Sequence, residues 1–293
     1  MTACGTLTAR LGDISFLNCA PIRWGLADSG AVHDVDLVSA APERLAARLL
    51  SGDLDISPIS LVRYLRHADD LYVLPGLGIS SDGPVRSCHI VSRDPLEDLD
   101  GREVALSDAS RSTTLLARML LEDAIGVRPV YRTLRQDVEG MLKTARAAVV
   151  IGDDALRLQA DVPRGLTVHD TGAMWRNWTG LPMVFAVWAA RREFAQARPD
   201  VVREVRAALL DAVGRARSHP EEVAAAAARE ARSGRAGALG TPVLLDYYRA
   251  LDYSLGERQL AAIQEFAARA AARGEVPGPV SARVPVHAPA LGG

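Results

Sequence analysis

Short apolar runs that end in a small or hydroxyl residue and pass at once into a helical pattern recur through the first two-thirds of this chain. Residues 7–16 alternate apolar side chains and run into Leu17-Asn18-Cys19-Ala20-Pro21 before the apolar piece 22–26. A second strand is predicted at 35–38. A helix follows at 42–50, where Leu45, Leu49 and Leu50 fall at helical spacing and Gly52 supplies a stop. Residues 54–57 form a third apolar run ending at Ser57, and Pro58 falls where a first helical residue is expected, with the helix reaching Arg66. Further strands are predicted at 71–79 and 87–92. After Arg93-Asp94-Pro95 the pattern restarts: strand 104–107, helix 112–125, strand 130–134, helical turns at 138–143, the wholly apolar strand 147–151 and a helix start at Gly152. Residues 166–169 and 183–189 are again strand-like. Strands alternating with helices of this length imply parallel βαβ units and an α/β fold.

Residues 54–61 and 149–156 share one plan of strand, small residue (Ser57 or Gly152) and helix, as expected of two similarly built lobes. From Arg191 onward the chain becomes rich in Ala and Arg at helical spacing, with Val202, Val205, Leu209 and Val213 on one face, then Leu260, Ile263 and Phe266. The expected organisation is a first lobe begun by 1–90, a second lobe in 91–185, and a return strand with helices in 186–293 that pack on the first. Residues 278–293, rich in Pro, Gly and Val, read as a tail of low local stability. In open parallel sheets, ligands sit beyond the carboxyl ends of the strands, and two facing lobes enclose a cleft there. The turns at Asn18, Ser57, 107–113 and Gly152 are therefore expected to face one ligand.

Composition narrows the class of that ligand. The net charge is −2, with basic residues dispersed among acidic ones, which leaves no footprint for nucleic acid or acidic lipid. Cys4, Cys19 and Cys88 are odd in number and lack metal-ligand spacing, which suits a reducing compartment. The first ten residues carry no apolar signal region, and no later run is long enough to span a membrane, so a cytoplasmic location is expected. Phosphate-loop, dinucleotide-fingerprint and metal-binding signatures are missing, so no metal or cofactor is expected.

The stretch Ser107-Asp108-Ala109-Ser110-Arg111-Ser112-Thr113-Thr114 crowds hydroxyls onto a helix start. The first N–H groups of a helix have no internal partner and carry partial positive charge, so they suit a carboxylate or phosphate. Ser and Thr are also ordinary N-cap residues, which is the plainer reading. Asp153 and Asp154 open another helix, where acids are favoured by the dipole whether or not they act on a ligand. His89 and His169 fall nearest the expected cleft, Cys88 reads as a small core residue, and Trp175 and Trp178 suit either a cleft wall or core.

Taken together, 12–22 (Gly-Asp-Ile-Ser-Phe-Leu-Asn-Cys-Ala-Pro-Ile), 55–60, 110–114, 151–156 and 175–182 resemble the chorismate dehydratase family of the futalosine route to menaquinone. The resemblance runs in order over about residues 8–275. It implies the two-lobed fold of type 2 periplasmic solute-binding proteins, with a ligand cleft between lobes and C-terminal helices. It also implies a cofactor-independent hydro-lyase that converts chorismate to 3-[(1-carboxyvinyl)oxy]benzoate and water. Such a site must bind two carboxylates, orient the C3 hydrogen and assist the departing C4 hydroxyl. On that basis Ser112 and Thr113 are expected to hold one carboxylate, with a second near Ser87 or the turn of Ser57 and Ser60. Asn18 is expected to be the catalytic residue that orients the ring hydroxyl or a carboxylate, and Gly152, Asp153 and Trp178 complete the substrate site. No side chain stands out as a base, which fits proton removal by the substrate's own enolpyruvyl carboxylate. Two other readings stay open: the 1,4-dihydroxy-6-naphthoate synthase family, which shares the fold, and a non-catalytic binder of small carboxylates.

Overall fold

The computed structural model describes residues 9–233 and 239–278, so Cys4 and the expected tail beyond Gly278 lie outside the described residues. The chain begins with β1 (Ala9–Ile14), α1 (Ala20–Ser29), β2 (Val35–Ala40), α2 (Pro42–Ser51), β3 (Ile56–Ser60), α3 (Leu61–Arg66) and the long β4 (Leu71–Ser81). It continues with β5 (Cys88–Ser92), β6 (Glu103–Ser107), α4 (Arg111–Met119), β7 (Val130–Leu134), α5 (Val138–Thr144), β8 (Ala147–Ile151), α6 (Gly152–Ala160), β9 (Thr167–Asp170) and α7 (Thr171–Thr179). The remainder is β10 (Met183–Arg191), α8 (Arg192–Ala197), α9 (Pro199–Ser218), α10 (Pro220–Ser233), α11 (Thr241–Ala250) and α12 (Glu257–Ala272).

Two five-stranded sheets result, one ordered β2-β1-β3-β10-β4 and the other β7-β6-β8-β5-β9. Both are mixed rather than wholly parallel, which corrects the expectation from alternation alone. β10 runs antiparallel to β3 and β4, and β5 runs antiparallel to β8 and β9. The reason is where the chain crosses over. The first residues of β10 and β5 lie beside the last residues of β3 and β8, in the pairs Ala186 with Ser60 and Cys88 with Ile151. Each entering strand therefore starts at the end where the parallel strands finish.

The inner strands of the second sheet, β5, β6 and β8, are buried on both faces, which is why they read as unbroken apolar runs. Ile90, Leu106 and Val149 pack into one core layer, while their neighbours Val91, Ala105 and Val150 pack into the opposite one. Pro58 departs from its expected place. It lies inside β3 rather than at the start of a helix, and α3 begins three residues later. β3 lies between β1 and β10, and Pro58 sits beyond the Leu11–Ile56 pairing with β1 and opposite Trp188 of β10. The tryptophan-bearing stretch is helix α7, capped by Asp170, whose carboxylate accepts from Ala173 N at 3.0 Å. Among the described residues, no helix is long and apolar enough to cross a membrane.

Candidate functional site

The carboxyl ends of β1 and β3 and those of β6 and β8 meet where the two sheets face each other, and hydrogen bonds join them directly. Leu17 N donates to Asp153 Oδ1 at 3.0 Å, and Val62 N donates to Ser112 Oγ at 2.9 Å. The first links the turn after β1 to the start of α6. The second links the first turn of α3 to the first turn of α4.

The turn after β1 is shaped from behind by Arg23. Its guanidinium donates to Ile14 O at 2.9 Å and to Phe16 O at 3.4 Å, and it faces the Asp13 carboxylate, which also accepts from Ser39 Oγ at 2.9 Å. Tyr253 donates to Asn18 O at 2.7 Å, so the Asn18 backbone is fixed while its side-chain Oδ1 is buried without a protein partner. Gly152, at φ 69°, occupies the left-handed region, and a Cβ there would lie 3.2 Å from the Phe16 ring. Glycine is required both by the backbone and by the approach of the opposite lobe.

Ser87 stands just before β5, and its carbonyl accepts from Gly152 N at 2.8 Å. Its turn is held by Asp170, which accepts from Val85 N at 3.0 Å and Arg86 N at 2.7 Å, while Arg86 adopts φ 64°. His89, the second residue of β5, is fully buried, with Nε2 at 2.8 Å from Arg86 O. Burial lowers its pKa against the opposing pull of Asp170, so the neutral ring is favoured.

Ser110 caps α4 by accepting from Thr113 N at 3.2 Å, and Thr113 Oγ1 donates to Cys88 Sγ at 3.5 Å. Burial pushes the Cys88 thiol up to about 12, which leaves it a packing residue and not a nucleophile. Burial also raises the Asp153 carboxyl above the ordinary range, while the Leu17 N–H and Arg157 oppose that shift.

The sequence-predicted residues therefore divide. Asn18, Ser60, Ser87, Ser112, Thr113, Gly152 and Asp153 lie on the strand ends and helix starts that come together. Ser57 is fully buried, its hydroxyl donating to Pro58 O at 3.0 Å and packed against Gly12, inside the first sheet. Trp178 lies under the Arg269 guanidinium of α12, 3.8 Å from the ring centroid, and edge-on to Trp175 at 5.8 Å. Trp175 is core, its indole N–H donating to Pro182 O at 3.0 Å.

Three tyrosines join the site from α11 and the segment after it. Tyr247 donates to Ser87 Oγ at 3.0 Å, Tyr253 reaches Asn18, and the Tyr248 hydroxyl is buried without a protein partner. Ser60 Oγ is a further buried hydroxyl without one. Helical periodicity alone marks this part of the chain as packing helices. The available signal was a cluster, since three of the six tyrosines fall at 247, 248 and 253. Among the described residues, no group of three or more His, Cys, Asp or Glu side chains is arranged to hold a metal ion.

Two α/β lobes meeting at their strand ends define a periplasmic-binding-protein-like fold. The periplasmic aliphatic sulphonate binding protein of Escherichia coli superposes with a TM-score of 0.66 at 19% identity, covering 94% of this chain and 97% of that one. The menaquinone biosynthesis family model matches residues 9–272, and the chain belongs to that family. It is similar to a chorismate dehydratase of Thermus thermophilus, at 32% identity over 81% of this chain and 86% of the relative. It is also similar to a 1,4-dihydroxy-6-naphthoate synthase of the same organism, at 28% identity over 79% of this chain and 82% of that protein.

Proposed function

We propose that this chain is a chorismate dehydratase, a hydro-lyase of menaquinone biosynthesis acting in the cytoplasm. The observation that carries this reading is the 32% identity, over most of both chains, to a protein of that name. The make-up of the site supports it. Dehydrating chorismate asks for positioning: the C3 hydrogen is acidified through conjugation to the ring carboxylate, the C4 hydroxyl departs, and aromatisation drives the elimination. Beside the Asp153 carboxyl, which accepts from Leu17 N, the groups gathered here are an amide, hydroxyls, phenols and helix starts, which bind and orient without taking up a proton.

In this reading the start of α4, with Ser112 and Thr113, takes one carboxylate, and the Ser112 hydroxyl exchanges its contact with Val62 N for the substrate. Ser60, whose hydroxyl has no protein partner, serves the second carboxylate from the end of β3. Asn18 and Ser87 hold the departing hydroxyl, and Tyr248 closes the site from α11. The proton leaves C3 for the substrate's own enolpyruvyl carboxylate and completes the water that departs from C4.

The test is incubation of purified protein with chorismate alone, with products followed by chromatography and mass. Loss of one water with formation of 3-[(1-carboxyvinyl)oxy]benzoate is the expected result. Binding without turnover would replace the reading by a carboxylate-binding protein. Absence of both would direct attention to the larger substrate of the synthase.

A further inference from the structure

We propose that Tyr247 is a positioning residue for the dehydration, fixing the Ser87 hydroxyl so that it points its proton at the departing oxygen. This rests on the dehydratase reading. The two residues are 160 positions apart, one on a C-terminal helix and one at the threshold of the second sheet, and only the fold brings them together.

The backbone of Ser87 is already fixed. Asp170 holds the two preceding N–H groups, and Gly152 N binds the Ser87 carbonyl. What remains free is the rotation of the hydroxyl. Tyr247 removes that freedom by donating its single proton to Ser87 Oγ at 3.0 Å. The phenol is nearly inaccessible, at 1% exposure, and its ring packs against Tyr248 with centroids 5.5 Å apart. Burial keeps it protonated far above neutral pH, so it acts as a donor throughout the working range. The proton of Ser87 itself is weakly committed. Its protein acceptor, Val85 O, lies 3.5 Å away, at the outer limit of a hydrogen bond. A hydroxyl with one lone pair engaged by a strong donor and its own proton loosely held is prepared to donate elsewhere.

The chemistry gives that donor a task. As the C3–H bond gives its proton to the enolpyruvyl carboxylate, the C3 electron pair forms the ring double bond and the C4–O bond breaks. The oxygen takes the bonding pair, and the Ser87 hydrogen bond strengthens as negative charge develops there. The proton that completes water is the one removed from C3, so Ser87 and Tyr247 both finish with their own protons. Donation from Tyr247 polarises the Ser87 hydroxyl and makes it the better donor.

The experiment is steady-state kinetics with chorismate on Tyr247→Phe, Ser87→Ala and the double variant, beside the parent protein. The expected result is a fall in kcat of about tenfold for Tyr247→Phe with KM within about twofold, and no further loss when it is added to Ser87→Ala. Unchanged kcat, or losses that multiply in the double variant, would overturn the proposal. If Tyr247→Phe does not fold, 3-fluorotyrosine at 247 keeps the shape and makes the phenol a stronger donor. A changed kcat at constant KM then supports the proposal, and an unchanged kcat overturns it. A parent protein that does not dehydrate chorismate overturns the dehydratase reading itself, and this inference with it, in the same assay.

Discussion

The backbone N–H of Leu17 donates to Asp153 Oδ1 at 3.0 Å, tying the residue before Asn18 to the first turn of a helix on the other sheet. The bond ties the Asn18 turn directly to the other lobe. It does so with a carboxyl that burial pushes above its ordinary range. A carboxyl with a raised folded-state value binds protons more readily in the native protein, so its stability penalty is greatest above that value and is relieved as pH falls through it. Asp153→Asn retains an acceptor for Leu17 N and removes the desolvated charge. The variant is expected to melt above the parent at neutral pH, with the gap closing in acid, as read by thermal unfolding across a pH series.

Asn18→Ala should fold normally, because Oδ1 has no protein partner to lose and the backbone carbonyl keeps its bond from Tyr253. Chorismate turnover should fall by about a hundredfold, in line with removal of one oriented donor at a departing oxygen. Full turnover in the variant would remove Asn18 from the reaction.

Gly152→Ala places a methyl 3.2 Å from the Phe16 ring and forces a side chain into the left-handed region. The backbone alone costs about 1–2 kcal/mol. Urea unfolding should record at least that loss. Turnover should fall further than stability does, since the clash lies between the lobes. Trimming the ring as well, in Gly152→Ala with Phe16→Leu, should recover activity but not the backbone cost.

Asp170→Ala releases three N–H groups, those of Val85, Arg86 and Ala173. Stability should drop by about 2–4 kcal/mol, the cost of stranding partly buried donors and one helix cap. Arg86 then has no reason to stay at φ 64°, so kcat should fall with Ser87 displaced. Denaturation and single-turnover kinetics on the same preparation separate the two effects.

Asp55 provides the opposite pH behaviour to Asp153. Burial works against its charge, yet Arg10 binds it through its side chain at 2.7 and 3.0 Å and through its backbone N–H at 3.0 Å. With Arg191 added, these bonds hold the carboxyl below its ordinary range. Such a group contributes stability above its unfolded value, near 3.9, and loses it as pH falls through the lower folded value. Asp55→Ala should cost about 2 kcal/mol at neutral pH, kept modest because Arg10 is partly solvated. The difference from the parent should shrink in acid, as measured by urea unfolding at a series of pH values.

The turns that carry Asn18, Ser112 and Gly152 were legible because turn chemistry is local. A small or hydroxyl residue between an apolar run and a helical pattern marks the carboxyl end of a strand wherever the chain later goes. Pro58 shows the limit of that reading. Its fixed φ suits a helix start and an extended strand alike, and only the pairing of β3 with β10, where Pro58 lies opposite Trp188, made it a strand residue. Trp178 shows another. Its spacing from Trp175 suits a helix face, but the partner on that face, Arg269, lies 91 residues further on.

Alternating apolar and turn segments determined by themselves that the chain builds α/β lobes with polar turns at one end of each sheet, because hydrogen bonding and burial within a strand or helix depend on near neighbours. Tertiary structure alone decided that β5 and β10 run against their partners, that Asp153 closes on Leu17, and that Tyr247 reaches Ser87. Those relationships join residues more than a hundred positions apart or depend on the direction in which a strand enters its sheet. They are set by the packing of whole elements, for which no short stretch of sequence carries the information.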